Sequence, residues 1–275
     1  MARRRLLTGD ERRRLFDPPV QETAIIGHYT LSAEDVELVG RRYGPANRLG
    51  LAAQIALMRH PGFGLQPEIG LPDVILQYLA AQLFVDPSSF SAYGQRAQTR
   101  TDHADLVARY LGIRPFRRGD LALALNLAAQ AAEYTDRGEP IVRALMVGLK
   151  GERFILPSGD TLERAGLAGR ARARKAAAAA IVEGLSSAEL TRLDELVINN
   201  PDFGMTPLAW LRNFKEAPTA ANINGLLERL RYVRGIGIHP VVGGAIPEFR
   251  FAQFVREGGV APAFLLSDYS VNRRR

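Results

Sequence analysis

"SAEDVELVGRRYGPANRLGLAAQIALMRHPG", residues 32–62, decides how the chain reads. Ser32 sits where a helix N-cap belongs, with Glu34, Asp35 and Glu37 early and Arg41 and Arg42 late, a polarity that matches the helix dipole. Gly44 and Pro45 then end one helix and open another, which is expected over about 46–59 and stops at Pro61-Gly62. Two helices joined in this way form a helix-turn-helix pattern, in which the second offers its N-terminal residues to the DNA major groove. Asn47 and Gln54 share one face of that second helix, and Arg48 and Arg59 share a neighbouring one. Asn, Gln and Arg are the side chains that pair with the edges of adenine and guanine. The remainder, "LGLAAQIALM", is apolar nearly all round. The same helix therefore reads equally well as the centre of a bundle, with only Asn47 and Arg48 exposed at its start.

Helical signals continue outward from this stretch. Thr8 with Glu11 is a capping box and opens a short helix that ends before Pro18 and Pro19. Helices are expected over 71–84, 87–93 and 101–111, the last preceded by Arg96 and Arg100. "LGIRPFRRGD" reads as a loop carrying Arg114, Arg117 and Arg118, and a boundary falls there. A helical hairpin (120–135 and 139–150, closed by Gly138), a short strand "RFILP" (153–157) and a long helix (160–184) follow. Ser186 with Glu189 repeats the capping box ahead of helices near 187–197, 207–214 and 222–234. The Gly-rich tail from Gly235 has a mixed pattern. The expectation is a mainly α protein with at most one or two short strands, built of small helical modules in tandem at 1–117, 118–184 and 185–275.

Composition narrows the function. The 275 residues contain no cysteine, which excludes disulfides, cysteine-ligated zinc and thiol catalysis. The mean hydropathy of −0.08 is that of a globular protein. "MARRRLLTGDERRRLF" has a basic start with no apolar segment behind it, so no secretory signal is expected. No apolar run approaches the ~20 residues that span a bilayer. The net charge is +7, from 36 basic and 29 acidic residues, with Lys150, Lys175 and Lys215 the sole lysines. Arginine's planar fork suits phosphate and base edges, so this balance points toward nucleic acid. A genome that encodes arginine wherever lysine would serve gives the same ratio, which leaves the clustering of arginines as the stronger signal.

Catalytic signatures are not found. His28, His60, His103 and His239 have no partner at i+4, and there is no P-loop, nucleophile elbow or dinucleotide fingerprint. Carboxylates fall on expected helix surfaces, whereas a two-metal nuclease core places them on a sheet. What remains is basic clusters. In the long helix Arg164, Arg170, Arg172, Arg174 and Lys175 occur with no acidic residue among them. Ala165, Gly169, Ala173, Ala176 and Ala180 form its other face. Such a helix can pack closely through small residues while presenting charge to a phosphate backbone, or its arginines can simply be solvated.

Together "RRRLLTGDERRRLFDPP", "HYTLSAEDVELVGRRYGPANRLGLAAQIALMRHPG", "LGIRPF", "TPLAWLRN" and "LLERLRYVRGIGI" resemble the N-terminal region of the large transposases of the Tn-three family. The order of these segments along the chain carries the likeness, and "GGAIPEF" (243–249) departs from it. The resemblance implies helical DNA-binding modules that recognise the terminal inverted repeats of a transposon in double-stranded DNA. Through the matched segment it places Arg41, Arg42, Asn47 and Arg48 at that DNA, and by position only the basic helix from Arg164 to Lys175. It also implies that the RNase H-like catalytic part and its magnesium lie outside this chain. This chain is then expected to be no enzyme by itself, to need no cofactor, membrane or small-molecule substrate, and to work in the bacterial cytoplasm on the nucleoid. The family sequence continues past "FLLSDYSVNRRR", so the chain is expected to be a truncated part of it. Two other readings stay open: a regulator that occupies transposon ends or pairs with intact transposase into inactive oligomers, and an unrelated basic helical scaffold; a homodimer is among the expected partners.

Overall fold

The computed structural model describes residues 5–65, 71–95, 97–213, 219–220, 222–238 and 244–274. Arg96, Phe214, Lys215, His239 and Gly243, which bear on the expectations above, lie outside them. The fold is mainly α. It divides into two compact units, Met1–Ala131 with Arg137–Gly169, and Ala132–Asp136 with Arg170–Arg275.

In the first unit, α1 (Gly9–Phe16) is opened by the Thr8–Glu11 capping box. Helix α2 (Glu22–Tyr29) has no clear sequence signal, because "ETAIIGHY" mixes β-branched residues with a glycine and buries only Ile25 and Tyr29. In α3 (Ala33–Gly40), Ser32 accepts from the Asp35 amide while the Asp35 carboxylate accepts from the Ser32 amide. Gly44, at φ +81°, makes the turn into α4 (Pro45–Arg59), with Pro45 in its first turn.

Every residue of α4 from Leu49 to Met58 is buried. The α2 and α3 helices, α5 (Asp73–Leu83), a 3-10 helix (Pro87–Ala92) and α6 (Ala97–Leu111) pack around it. It is the central helix of a bundle, and that is why its sequence is apolar all round. Gly50 is required there, since any Cβ would overlap the Tyr93 ring. Asp35, fully buried, accepts from the Ser32 amide at 2.9 Å, Arg59 Nη2 at 2.7 Å and the Tyr110 hydroxyl at 2.8 Å. This network ties α3, the end of α4 and α6 together, and it satisfies a carboxylate that burial alone would make costly.

Helices α7 (Leu121–Ala132), α8 (Gly138–Gly151) and α9 (Gly159–Glu183) follow. The expected strand is real but reduced to β2 (Phe154–Ile155). It pairs in parallel with β1 (Arg114–Pro115), inside the stretch read as a loop. Two-residue strands are too short for any alternation to show. The packed face of α9 also differs from expectation: Leu162, Gly166, Gly169, Ala173 and Ala177 are buried, whereas Ala176 is exposed. A Cβ on Gly169 would come within 2.5 Å of Ala128, and one on Gly166 within 2.5 Å of Leu6. The two glycines are what let neighbours approach so closely.

The second unit includes α10 (Ser187–Glu195) with its Ser186–Glu189 capping box, α11 (Pro207–Arg212) and α12 (Ile223–Ile236). The tail with the mixed pattern forms α13 (Glu248–Val260), α14 (Ala263–Ser267) and α15 (Val271–Arg274). Asp136 anchors the unit. It accepts from Arg250 Nη1 at 2.6 Å, from Arg174 Nε at 3.1 Å and from Gln253. Phe203 stacks on Trp210 at 4.4 Å, and Arg229 covers the same indole at 4.4 Å.

Candidate nucleic-acid interface

The turn between α3 and α4 groups cations on a fixed backbone. Arg48 Nε donates to the Arg42 carbonyl at 2.9 Å, and Asn47 Nδ2 donates to the Tyr43 carbonyl at 3.0 Å. These two bonds, with Gly44 in its left-handed conformation, hold the turn from both sides. Arg41 is exposed and pairs with Glu37 at 2.6 Å one helical turn earlier. An exposed pair of this kind is worth ~0.3–0.5 kcal/mol, little enough for a phosphate to compete for the guanidinium. Arg42 is half-buried, and its Nε has no hydrogen-bond partner among the described residues. Its charge adds to the effect of burial in holding His103 below the ordinary histidine range. The first turn of α4 contains no acidic residue and no side-chain cap, so the amides of a fifteen-residue helix point out beside these arginines.

The structure thus brings Arg41, Arg42, Asn47 and Arg48 together. Gln54 stands apart from them. It is 2% exposed, and its Nε2 donates to the Tyr93 hydroxyl at 2.8 Å and the Arg100 carbonyl at 3.1 Å. Glutamine reads as a base-edge side chain by type, but a central helix uses its amide to satisfy two other buried groups. With Leu49–Met58 buried, the exposed part of the helix-turn-helix pattern is the turn and the first turn of α4.

On α9 the five expected cations separate into two sets. Arg170 Nη1 donates to the Asp136 carbonyl at 3.1 Å, and Arg174 forks onto the Asp136 carboxylate. Burial raises Asp136, but the bonds from Arg174 and Arg250 outweigh it and leave the carboxyl below the usual aspartate range. Both arginines are engaged within the second unit. Arg164, in the first unit, and Arg172 and Lys175, in the second, are exposed. Arg164 leans on its own helix, through the Asp160 carbonyl and the Thr161 hydroxyl, each at 3.3 Å.

Three features went unassigned in the sequence. Tyr43 lies inside the quoted stretch yet had no part in it, and its ring is 94% exposed. Asp136 gave no local sign of its role, because its partners lie 38 and 114 positions away. His28 and His60, apart in sequence, stack face to face at 3.7 Å. Burial pushes His60 down to about 4, with His28 and Lys150 adding to the effect. Among the described residues no group of three or more His, Asp or Glu residues is placed to hold a metal ion. No described helix is long and apolar enough to cross a membrane.

Residues 6–168 match the family described as "Domain of unknown function (DUF4158)", and the chain belongs to that family. Over its whole length it is similar to the transposase for transposon Tn501 of Pseudomonas aeruginosa, at 32% identity over 274 residues. The transposase for transposon Tn21 of Escherichia coli is 32% identical over 275 residues, again all of this chain. The transposase for transposon Tn1546 of Enterococcus faecium is 27% identical over 98% of it. The chain spans 28% of the length of each of these relatives. They agree with the transposase resemblance read from the motifs.

Proposed function

We propose that this chain is a DNA-holding part of a replicative transposase. It binds double-stranded DNA at the terminal inverted repeats of a transposon and performs no strand chemistry itself. The observation that carries the reading is the α3–α4 turn, which bears Arg41, Arg42 and Arg48 on a backbone held by Asn47 and Gly44. The transposase relatives, matched across the whole chain, support it. Arginine–phosphate contacts position such a region, and base contacts near Asn47 select the sequence. The exposed cations of α9 add backbone contacts. In this reading the stretches 1–117, 118–184 and 185–275 meet the DNA in succession, and magnesium-dependent strand transfer belongs to the remainder of a full-length transposase.

The deciding experiment is binding to a duplex carrying the terminal inverted repeat against a scrambled duplex of equal length, across a salt series. A preference of ~10³-fold or more marks specific recognition. The three turn arginines alone would give a slope of roughly −3 in log affinity against log salt, and each further phosphate met by α9 steepens it by about 0.9. Equal, salt-steep binding to both duplexes would reduce the region to a generic basic surface.

One observation favours a second reading, regulation by pairing with another protein chain. Helix α12 exposes Ile223, Leu227, Leu230 and Val233, each 40–51% accessible and on successive turns. A binder that ignores DNA but self-associates with concentration, with little response to salt, would support that reading instead.

A further inference from the structure

The stretch "LGIRPFRRGD", an arginine-bearing loop by sequence, is joined in the fold by a fourth arginine. Strand β1 lies parallel to β2 with Arg114 opposite Phe154, and the Arg114 amide donates to the Arg153 carbonyl at 2.8 Å. The Arg114 guanidinium lies over the Phe154 ring at 3.7 Å, and Phe116 meets that buried ring edge-on at 5.7 Å. Asp120 closes the loop: its Oδ1 is 3.4 Å from Arg114 Nη1, and its Oδ2 accepts from the Arg117 amide at 2.7 Å. One ring and one carboxylate thus fix Arg114 between Arg153 and the Arg117–Arg118 pair. All four arginines are exposed. Among the described residues, the side chains of Arg117, Arg118 and Arg153 take part in no hydrogen bond, ion pair or ring contact. Against the four arginines, the two segments 112–120 and 151–157 carry the carboxylates of Asp120 and Glu152 alone, so the patch keeps a net positive charge.

Arg153 follows the end of α8 at φ +62°, with its amide donating to the Lys150 carbonyl at 3.0 Å. That left-handed conformation suits glycine and strains an arginine. Hydrogen bonding within the fold gives no reason for arginine there, and a strained backbone carrying a free charge points to a ligand. We infer that the β1–β2 pair is a second phosphate-binding site of the first unit, at which Arg114, Arg117, Arg118 and Arg153 hold the backbone of double-stranded DNA. The inference rests on the DNA-binding reading above. Guanidinium groups match phosphate oxygens in geometry as well as charge. Such contacts position a duplex without reading it, so the patch adds affinity and leaves the choice of sequence to other parts of the chain.

The test titrates the full chain with two fluorescein-labelled duplexes of unrelated sequence across a potassium chloride series. The proteins are wild type, Arg117→Ala with Arg118→Ala, Arg153→Gly, Arg153→Lys and Arg48→Ala. Arg114 is left in place because it packs on Phe154. The double variant is expected to lower the slope of log affinity against log salt by about 1.8 on both duplexes, so that its deficit narrows ~12-fold between about 50 and 200 mM salt. Arg153→Gly should lower the slope by about 0.9 and melt no lower than wild type, while Arg153→Lys keeps the slope. Wild-type affinity and slope in the double variant and in Arg153→Gly, with the slope change present in Arg48→Ala, overturn this second site and leave the DNA reading standing. Weaker binding at an unchanged slope overturns it too, because no phosphate contact has then been lost. An Arg153→Gly protein that melts below wild type shows that this side chain serves the fold and overturns its assignment to DNA. If wild type binds neither duplex, the DNA-binding reading fails and the second site falls with it.

Discussion

Arg59, the last residue of α4, forks onto Asp35 of α3, with Nη2 2.7 Å from Oδ1 and 24 positions between them. The Tyr110 hydroxyl meets the same oxygen at 2.8 Å. Arg59→Ala would strand a buried carboxylate. Because Arg59 is itself 35% exposed, the loss is expected near the low end for such pairs, about 3 kcal/mol, and Tyr110→Phe should cost about 1 kcal/mol. Urea denaturation of the two variants checks both. Burial raises Asp35, yet the bonds from Arg59, Ser32 and Tyr110 hold it below the ordinary aspartate range. Its contribution is therefore present above that range and is lost as pH falls through the folded-state value.

Gln54→Ala takes one donor from the Tyr93 hydroxyl, which keeps His103 Nδ1 at 3.0 Å, and one from the Arg100 carbonyl, and opens a gap in the central helix's packing. A destabilisation of about 2–3 kcal/mol is expected, with base preference unchanged when binding is measured where the variant is folded. Asn47→Ala should behave in the opposite way, losing little stability but relaxing sequence preference. A competition assay over single-base variants of the repeat separates the two, and a Gln54→Ala protein that is stable yet indiscriminate would contradict the burial.

On α9, Lys175→Ala should weaken DNA binding uniformly across sequences and lower the salt slope by about 0.9. Arg174→Ala should instead destabilise the second unit, because it takes a fork from Asp136. Differential scanning calorimetry beside the binding titration distinguishes a contact from a strut. Equal melts for the two variants would mean that Asp136 does not depend on Arg174.

His60 titrates only near pH 4 in the folded chain, against about 6.5 when unfolded. Between these values the unfolded state binds a proton that the folded state refuses. Stability is whole above about 6.5 and declines as pH falls toward 4, by at most ~1.4 kcal/mol per unit. His60→Gln should flatten that part of the profile in denaturant melts taken from pH 7 down to 4.5. An unchanged slope would move the acid sensitivity to another group.

The sequence carried its own local punctuation well. Thr8–Glu11, Ser186–Glu189 and Gly44-Pro45 stand where helices begin and break, since caps and turns depend on a few adjacent residues. The two readings of α4 were both present in "LGLAAQIALM", and burial chose between them for all but its first turn. What stayed hidden depends on distant partners. Nothing near Gln54 announces Tyr93, 39 positions later, and nothing near Arg174 announces Asp136. The packed face of α9 was misplaced because alanine recurs on every side of the helix, so residue type could not mark which alanines touch a neighbour. The β1–β2 pair joins segments forty positions apart by two residues each, beyond the reach of periodicity.

The seating of α4 has an evolutionary corollary. From Leu49 to Met58 any change must be matched by a change in a surrounding helix, whereas positions 41–48 border solvent and are tied down mainly through backbone carbonyls. Drift in the outer turn leaves the interior untouched, so a lineage can retarget what this turn meets while inheriting the same scaffold unaltered.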